Sequence, residues 1–408
     1  MPAIGSSILT AVLPCLATMY VGLASVSGIM QRNFARRAPV ELAPEPFAEP
    51  EPYWPSVDVV VPCFNEDPEV LRRCLESVLG QCYGGALRLW VVDDGSSNRS
   101  ALEHVYDKFA ADARCELIRQ PYNRGKRLAQ DAAVCQGEAE IVVNIDSDTA
   151  VSPDALQRIV TLFRDPQVAM ATGNVHPSNQ GANKLTSLME MRYRLLFEVE
   201  RGAQSHFDSV LCCSGSFSAY RRSAIQEVWS QYVGHSPVSI PGEDLHLTVR
   251  LLTKDYSSQY EPRATAETQV PTTLRTYMRQ QLRWNRSFYR ELPEILPLLA
   301  RRPRYLTLDV AARILLPLLL PIALLVAVGG AMANSGTLLR DAVLLGGMAA
   351  SHLAVAIWQT RDPRFCLLYG LLYLTLLIPI RLYALVTTRN SSWGTRHLLK
   401  NQPDLVRP

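Results

Sequence analysis

The sequence predicts an α/β chain: a doubly wound domain on a parallel sheet, joined to apolar helices long enough to enter a bilayer. Three observations carry that expectation. Short, largely apolar runs alternate with helical stretches between residues 57 and 145, the order that gives a parallel sheet with helices on both faces. Acidic residues stand at or just beyond the ends of two of those runs, where open α/β sheets bind their ligands. Hydrophobic residues make up 48% of the 408 residues, and the longest uncharged stretches lie near the N-terminus and in the last third.

Ile4 to Met30 carries no charge and exceeds the roughly 20 apolar residues a span requires. Arg32, Arg36 and Arg37 follow it, the reverse of a secretory leader. Residues 1–37 therefore read as an uncleaved anchor with its N-terminus outside. Residues 38–56 are dense in Pro and Glu and read as a stiff linker. The soluble domain, 57–272, opens with the strand Val57 to Pro62 and the helix Pro68 to Leu79. The strand Leu87 to Val92 and the helix Ser100 to Ala110 come next. Cys115 to Ile118, the helix Lys126 to Cys135, and the strand Glu140 to Ile145 complete the pattern.

Residues 273–305 mix Tyr, Met, Leu, Trp and Phe with Arg, as interfacial helices do; Leu292 to Leu299 forms their amphipathic end. Residues 306–388 hold the uncharged stretch Ile314 to Leu339, a second at Ala342 to Gln359, and a third at Phe365 to Thr388. The third is interrupted by Pro379 and carries Arg381. Arg361 and Arg364 mark the loop before it as cytoplasmic. If this third segment crosses, the tail 389–408 lies outside; if it is re-entrant or lies along the interface, the tail stays inside.

The formal charge of +3, without a Lys/Arg-rich run, argues against a nucleic-acid partner. Nine cysteines include no CxxC pair. The adjacent Cys212 and Cys213 cannot form an ordinary bridge, so reduced thiols facing the cytosol are expected.

Several short motifs point to chemistry on a sugar diphosphate. Asp146-Ser147-Asp148 places two carboxylates at one strand end, an arrangement that can hold Mg²⁺ or Mn²⁺ against a diphosphate. Asp93-Asp94-Gly95-Ser96, also at a strand end, offers acceptors for a base or ribose, or forms an ordinary glycine turn. Lys126 sits near a helix start, where a phosphate is readily bound. Asp244 in Gly242-Glu243-Asp244 is the candidate base for an attacking hydroxyl, with Glu243 serving position or charge; it is equally a candidate helix N-cap. In Gln280-Gln281-Leu282-Arg283-Trp284 the indole offers a flat face to a sugar ring and the guanidinium a fork for a diphosphate. Trp284 alone would also suit a membrane anchor.

These residues, in this order, resemble the processive family 2 glycosyltransferases: hyaluronan synthases, the rhizobial chitooligosaccharide synthases and, more distantly, chitin and cellulose synthases. Further pieces that carry the resemblance are Val61-Pro62-Cys63-Phe64-Asn65-Glu66-Asp67, Gly125-Lys126-Arg127 and Ser214 to Arg222. The resemblance implies a GT-A fold and a metal-dependent, inverting enzyme of the plasma (inner) membrane, with its catalytic domain cytoplasmic. Nucleotide-sugar contacts would come from Asn65, Glu66, Asp93, Asp94, Lys126, Asp146 and Arg283. Asp148 with Asp146 would hold the metal, and Asp244 would be the base. The Ser214-Gly215 loop, Gln280 and Trp284 would form the acceptor site.

Trp393-Gly394-Thr395-Arg396 looks like the terminal motif of hyaluronan synthases, which adds Trp393 and Arg396 to the nucleotide contacts. It also favours a re-entrant third segment. Both product classes imply UDP-N-acetylglucosamine as donor and a growing polysaccharide as partner; the hyaluronan type adds UDP-glucuronate. The single anchor, the linker and Asn65-Glu66-Asp67-Pro68 look like the chitooligosaccharide group. The tail motif and Asn285 to Glu291 look like the hyaluronan group, which is the expectation taken here, with the chitooligosaccharide type as the alternative. Gly215-Ser216 departs from the Gly-Pro that both groups carry. A catalytically silent nucleotide-sugar sensor would be expected to lack one of these carboxylates, and a transferase adding one sugar to a lipid would be expected to lack the Gln-Gln-x-Arg-Trp segment.

Overall fold

The computed structural model describes residues 2–37, 53–234, 241–333 and 335–390. Trp393, Arg396 and most of the expected linker lie outside them. After the long helix α1 (Pro2–Ala35), the chain alternates β1 (Val57–Cys63), α2 (Pro68–Leu79), β2 (Leu87–Asp93), α3 (Arg99–Ala110), β3 (Cys115–Arg119), α4 (Lys126–Val134) and β4 (Ile141–Ile145). These are the elements the sequence predicts, within a residue or two at their ends. Helix α2 shows why the boundary was readable: Asp67 accepts from the Glu69 and Val70 amides, and Pro68 opens the first turn, where a missing N–H costs nothing.

A second half follows, made of β5 (Thr149–Val151), α5 (Ala155–Thr161), β6 (Val168–Pro177), α6 (Lys184–Arg194), α7 (Gly202–Ser205), β7 (Phe217–Arg221), α8 (Arg222–Gly234), α9 (Glu243–Leu252) and β8 (Ser257–Thr268). All eight strands form one sheet in the order β3-β2-β1-β4-β7-β6-β8-β5. Strands β3, β2, β1 and β4 are parallel, whereas β7 runs antiparallel to both β4 and β6. Strand β8 runs parallel to β6, and β5 antiparallel to β8, so six of the eight strands share one direction and only β7 and β5 depart from the all-parallel expectation. Strand order reverses at β1, between β2 and β4, which opens a crevice beyond the carboxyl ends of these strands.

Strands β1 and β4 are covered on both faces: Val57, Val59, Val60, Val61 and all of Ile141–Ile145 are buried, as their unbroken apolar runs require. At the opposite edge from the crevice, the start of β1 contains a buried charge. Asp58 accepts from the Arg222 guanidinium (2.5 Å), the Trp90 indole (2.9 Å) and the Ala139 amide (3.0 Å). Arg222 also donates to the Val134 carbonyl at 2.8 Å. One ion pair thus ties β1, β2, the approach to β4 and the start of α8.

Beyond the sheet come α10 (Leu274–Leu299), α11 (Arg304–Ala333), α12 (Leu338–Thr360), α13 (Pro363–Leu372) and α14 (Ile378–Val386). The Gln-Gln-x-Arg-Trp motif and the amphipathic end at Leu292–Leu299 are one continuous helix rather than separate pieces. Four helical stretches are long and apolar enough to cross a membrane: Ala11–Ala35, Arg304–Ala333, Leu338–Thr360 and Pro363–Val386. Helix α1 packs on α11 through Leu13, Ala17, Tyr20, Ala24, Leu319 and Ala323, and on α12 where Gly28 lies against Val355. Their length and composition suggest membrane association.

The third apolar stretch of the C-terminal part is not broken at Pro379. A π-helical turn, Tyr373–Leu377, links α13 to α14, and Pro379 sits in the first turn of α14, directly after it; proline removes a backbone donor there, and the helical path continues through it. The second part of the stretch, α14, packs on α10. Tyr369 lies against Tyr277 near one end; at the other, Arg286 donates to Thr387 Oγ1 (3.0 Å) and Arg290 to the Thr388 carbonyl (3.2 Å).

Asp58→Ala would leave the buried Arg222 guanidinium without its counter-charge, at a cost of about 3–5 kcal/mol. The thermal unfolding midpoint of the detergent-purified variant should fall by several degrees. An unchanged midpoint would remove this ion pair from the account of stability.

Candidate active site

The crevice at the ends of β1, β2 and β4 is organised first by carboxylates facing the protein itself. Asp93 is fully buried; its oxygens take the Ser96 amide (2.8 Å) and Arg99 Nε (2.5 Å). Asp94 is 1% exposed and caps the next turn by accepting from the Arg124 and Gly125 amides at 2.7 and 2.9 Å. Gly95 allows this turn, because its φ is +71° and a Cβ would strike the Tyr122 backbone. Both aspartates were expected to meet a ligand directly. In the structure both carboxylates also shape the loop that presents Lys126.

Asn65 behaves in the same way. Its φ is +53°, and its Oδ1 accepts from Ser97 N (2.7 Å) and Ser97 Oγ (3.0 Å), so it joins the β1 loop to the β2 loop. Glu66 accepts from Ser147 Oγ at 2.7 Å and so faces the Asp146-Ser147-Asp148 turn.

Lys126 begins α4 and is almost buried. Its Nζ lies 2.5 Å from Asp146 Oδ1 and 2.9 Å from Glu243 Oε1. Burial alone would favour the neutral amine, but Asp146 and then Glu243 outweigh it and hold the ammonium above its ordinary range. The same ammonium explains Gly215: a Cβ there would come within 2.5 Å of Nζ.

Glu243 and Asp244 occupy the first turn of α9, with Gly242 as the cap at φ +97°. Asp244 is therefore inside the helix and is not its N-cap. Burial opposes ionisation of Glu243, yet Lys126 holds it down at about 2. Asp244 is raised, by burial and then by the charge of Glu243. Its Oδ1 accepts from the Leu245 amide (2.8 Å) and its Oδ2 from the Gly215 amide (3.1 Å). Two adjacent carboxylates driven in opposite directions is the pattern that separates a charge-holding group from a proton-accepting one.

Asp148 accepts from Thr149 Oγ1 (3.2 Å) and Thr268 Oγ1 (3.1 Å). Burial, then Asp146 and Glu66, push it up to about 7. Among the described residues, no three His, Cys, Asp or Glu side chains are grouped to hold a metal. Two aspartates nevertheless fit a Mg²⁺-like ion that takes the rest of its shell from phosphates and water, and the crowding of negative charge around Asp148 suits a cation there.

Along the same cleft lie Ser214, Gly215, Gln280, Gln281, Arg283 and Trp284. Trp284 is 36% exposed, and the buried Gln280 Oε1 takes no hydrogen bond from the protein. The structure thus brings Lys126, Asp146, Asp148, Ser214, Gly215, Glu243, Asp244, Gln280, Arg283 and Trp284 to one cavity.

The sequence reading missed the inner wall: Arg192, Tyr193, Phe197, Arg201 and Arg313 also line this cavity. Arg192, Glu200 and Arg201 flank or occupy a π-helical turn, Leu195–Arg201, for which the sequence has no readable signal. Arg381 was noticeable as a charge in an apolar stretch, and it lines the cleft too. Arg192, Arg313 and Arg381 also border a second cavity between α1, α11, α12 and α13.

The arrangement compares with known proteins as follows. Residues 55–287 match the family described as Glycosyltransferase like family 2. An N-acetylglucosaminyltransferase of Sinorhizobium fredii is 38% identical over 93% of this chain and 92% of its own length. One from Rhizobium leguminosarum bv. viciae is 40% identical over 93% of this chain and 90% of its own. The fold is similar to that of a mannosyltransferase from Pyrobaculum calidifontis solved with GDP-Man and Mn²⁺, with a TM-score of 0.63, 21% identity, and coverage of 90% of this chain and 99% of that one. With its GT-A architecture and the match across more than half its length, the chain belongs to the family 2 glycosyltransferases.

Proposed function

We propose that this enzyme transfers N-acetylglucosamine from UDP-N-acetylglucosamine to a growing β-linked chain by a single inverting displacement, as a chitooligosaccharide-type synthase. The observation that carries the reading is the cluster at Lys126: Asp146, Glu243 and, one residue on, Asp244 share one cleft with the Trp284 indole. The names of the relatives support the donor sugar, and favour the chitooligosaccharide type over the hyaluronan type expected from the tail motif.

An acceptor hydroxyl, its ring resting on Trp284, attacks the anomeric carbon from the face opposite the diphosphate. The carbon–oxygen bond to the diphosphate breaks with its electron pair, and the hydroxyl proton passes to Asp244. Amides of Gly215 and Leu245 fix the plane of that carboxylate, while its raised affinity for protons favours the transfer. Glu243 stays ionised and keeps the Lys126 ammonium in place. Arg283 supplies positive charge on the diphosphate side. Asp148 and Asp146 would hold Mg²⁺ or Mn²⁺, which when bound neutralises charge on the departing UDP.

The second cavity shares Arg192, Arg313 and Arg381 with the cleft, and the growing chain leaves towards it, between the apolar helices. Arg32, Arg36, Arg37, Arg361 and Arg364 gather at helix ends, which supports an inner-membrane enzyme with its catalytic domain in the cytoplasm. The third C-terminal apolar stretch meets α10 near both of its ends. That supports an interfacial or re-entrant segment, with the tail on the catalytic side.

Asp244→Asn should lower transfer by at least about a hundredfold while UDP affinity, measured by calorimetry, stays within about twofold of the parent. Turnover at the parent rate would remove Asp244 from the chemistry. The product class is tested by incubating the purified enzyme with labelled UDP-N-acetylglucosamine, with and without UDP-glucuronate, and sizing the product by mass spectrometry. Oligomers of N-acetylglucosamine are expected from the one donor; polymer made only when both donors are present would overturn the chitooligosaccharide reading in favour of the hyaluronan one.

A further inference from the structure

Helix α10 carries the acceptor-side residues Gln280 to Trp284 near its start. Two turns later, one of its faces is fastened to the segment that presents Asp244. Ser287 Oγ and Arg290 Nη1 both donate to the Pro241 carbonyl, at 2.8 and 3.1 Å. Glu291 Oε2 lies 3.0 Å from His246 Nδ1, and Glu294 lies 3.5 Å from Arg250. Positions 287, 290, 291 and 294 fall on one helical stripe, so α9 and α10 are joined along their length.

The contact is tightest at Gly242. This residue holds the left-handed conformation, and a Cβ on it would come within 2.5 Å of Ser287. The carbonyl just before this turn is the one that takes both donors from α10. The direction in which α9 leaves the turn, and with it the aim of Asp244, is therefore set by what Ser287 and Arg290 hold. Arg290 does more than close this contact. Its Nη2 donates to the Thr388 carbonyl at 3.2 Å, while neighbouring Arg286 donates to Thr387 Oγ1. A single planar fork spans the turn before the base and the end of the last apolar stretch.

We propose that Arg290 is a positioning residue for transfer: it registers the Gly242 turn, and so Asp244, against the helix bearing Trp284 and against the end of α14. The inference rests on Asp244 being the base. Arg290 is not among the residues that line the cleft, so it acts through the turn and the helix end that it holds. A lysine retains the charge but offers a point donor in place of a fork, and cannot place two N–H groups on two separated carbonyls in a fixed plane. A misplacement of the base by about 1 Å is enough to cost roughly a hundredfold in rate.

The test uses the full chain in detergent and compares Arg290→Lys, Arg290→Ala and Ser287→Ala with the parent. For Arg290→Lys, kcat for transfer should fall at least about tenfold, with KM for UDP-N-acetylglucosamine, UDP affinity and the thermal midpoint each little changed. Ser287→Ala, which leaves one donor on Pro241, should show a smaller loss of the same kind. A parental kcat for Arg290→Lys would overturn the proposal. So would a loss matched by equal losses of UDP affinity and thermal midpoint, since that marks a merely structural role. If Arg290→Ala does not fold, the lysine variant still decides. Transfer surviving in Asp244→Asn would instead sink the reading of the base; a dead Asp244→Asn beside a normal Arg290→Lys would sink this inference alone.

Discussion

A buried ammonium held between two carboxylates is the interaction on which the cleft depends. Lys126 comes from the start of α4, Asp146 from the end of β4 and Glu243 from the start of α9. Its position is therefore shared by three elements far apart in sequence. Removing such a charge from water costs several kcal/mol per ion, and it persists because both partners are within 3 Å. The consequences spread outward. Glu243 is locked in its ionised form, so its charge is permanently available to raise Asp244. The loop at Gly215 must lack a side chain to pass the ammonium, and that same loop supplies an amide to Asp244. Burial and then Glu243 raise the proton affinity of the candidate base against the opposing charge of Lys126, while its orientation is tied to the loop that passes that cation.

The cleft is lined by charges of both signs: Asp146, Asp148, Glu243 and Asp244 with Lys126 and Arg283, and also Arg192, Arg201, Arg313 and Arg381, of which Arg192, Arg313 and Arg381 border the second cavity as well. Asp148 is pushed up to about 7 by burial first, and then by Asp146 and Glu66. Inner-wall arginines are themselves anchored. Arg192 and Arg313 both reach Glu200, at 2.7 and 2.8 Å, and Arg313 reaches Asp309 at 3.2 Å, so the junction with the membrane helices is held by ion pairs rather than by apolar packing alone.

What could be read from the sequence follows from what is local. The first half of the sheet was legible because β1 and β4 are buried on both faces and appear as unbroken runs bounded by turn residues such as Asp67-Pro68 and Gly95. The second half, in which β7 and β5 run against the rest, was not, because β6 and β8 owe their state to each other. Val168–Pro177 pairs with Ser257–Thr268 across almost ninety positions, and β8 contains Glu261, Pro262 and Arg263, which no strand pattern favours. Thr268, a hydrogen-bond partner of Asp148, was hidden for the same reason. Among the acidic residues, spacing identified which ones gather at the crevice but not which way they face. Asp93 and Asp94 sit in the same kind of strand-end turn as Asp146 and Asp148, yet backbone amides of nearby loops turn the first pair inward.

Helix α10 shows how the enzyme's two problems, chemistry and membrane attachment, meet in one element. Its first half carries Gln280 to Trp284 along the cleft, its next turns hold Pro241 and His246, and its outer side is followed by the last apolar stretch. Hydropathy alone treats that stretch, Pro363–Val386, as a crossing. Packing adds a constraint, since Tyr277 of α10 meets Tyr369 and Arg286 meets Thr387. At a rise of about 1.5 Å per residue, Tyr369 and Thr387 stand about 27 Å apart along their stretch and Tyr277 and Arg286 about 14 Å apart along α10, so the two are tied at separate points rather than matched turn for turn. The tie is firmest at the end of α14, where Arg286 and Arg290 donate to Thr387 and the Thr388 carbonyl, so the helix that carries Trp284 and holds Pro241 is fastened to the end of the last apolar stretch.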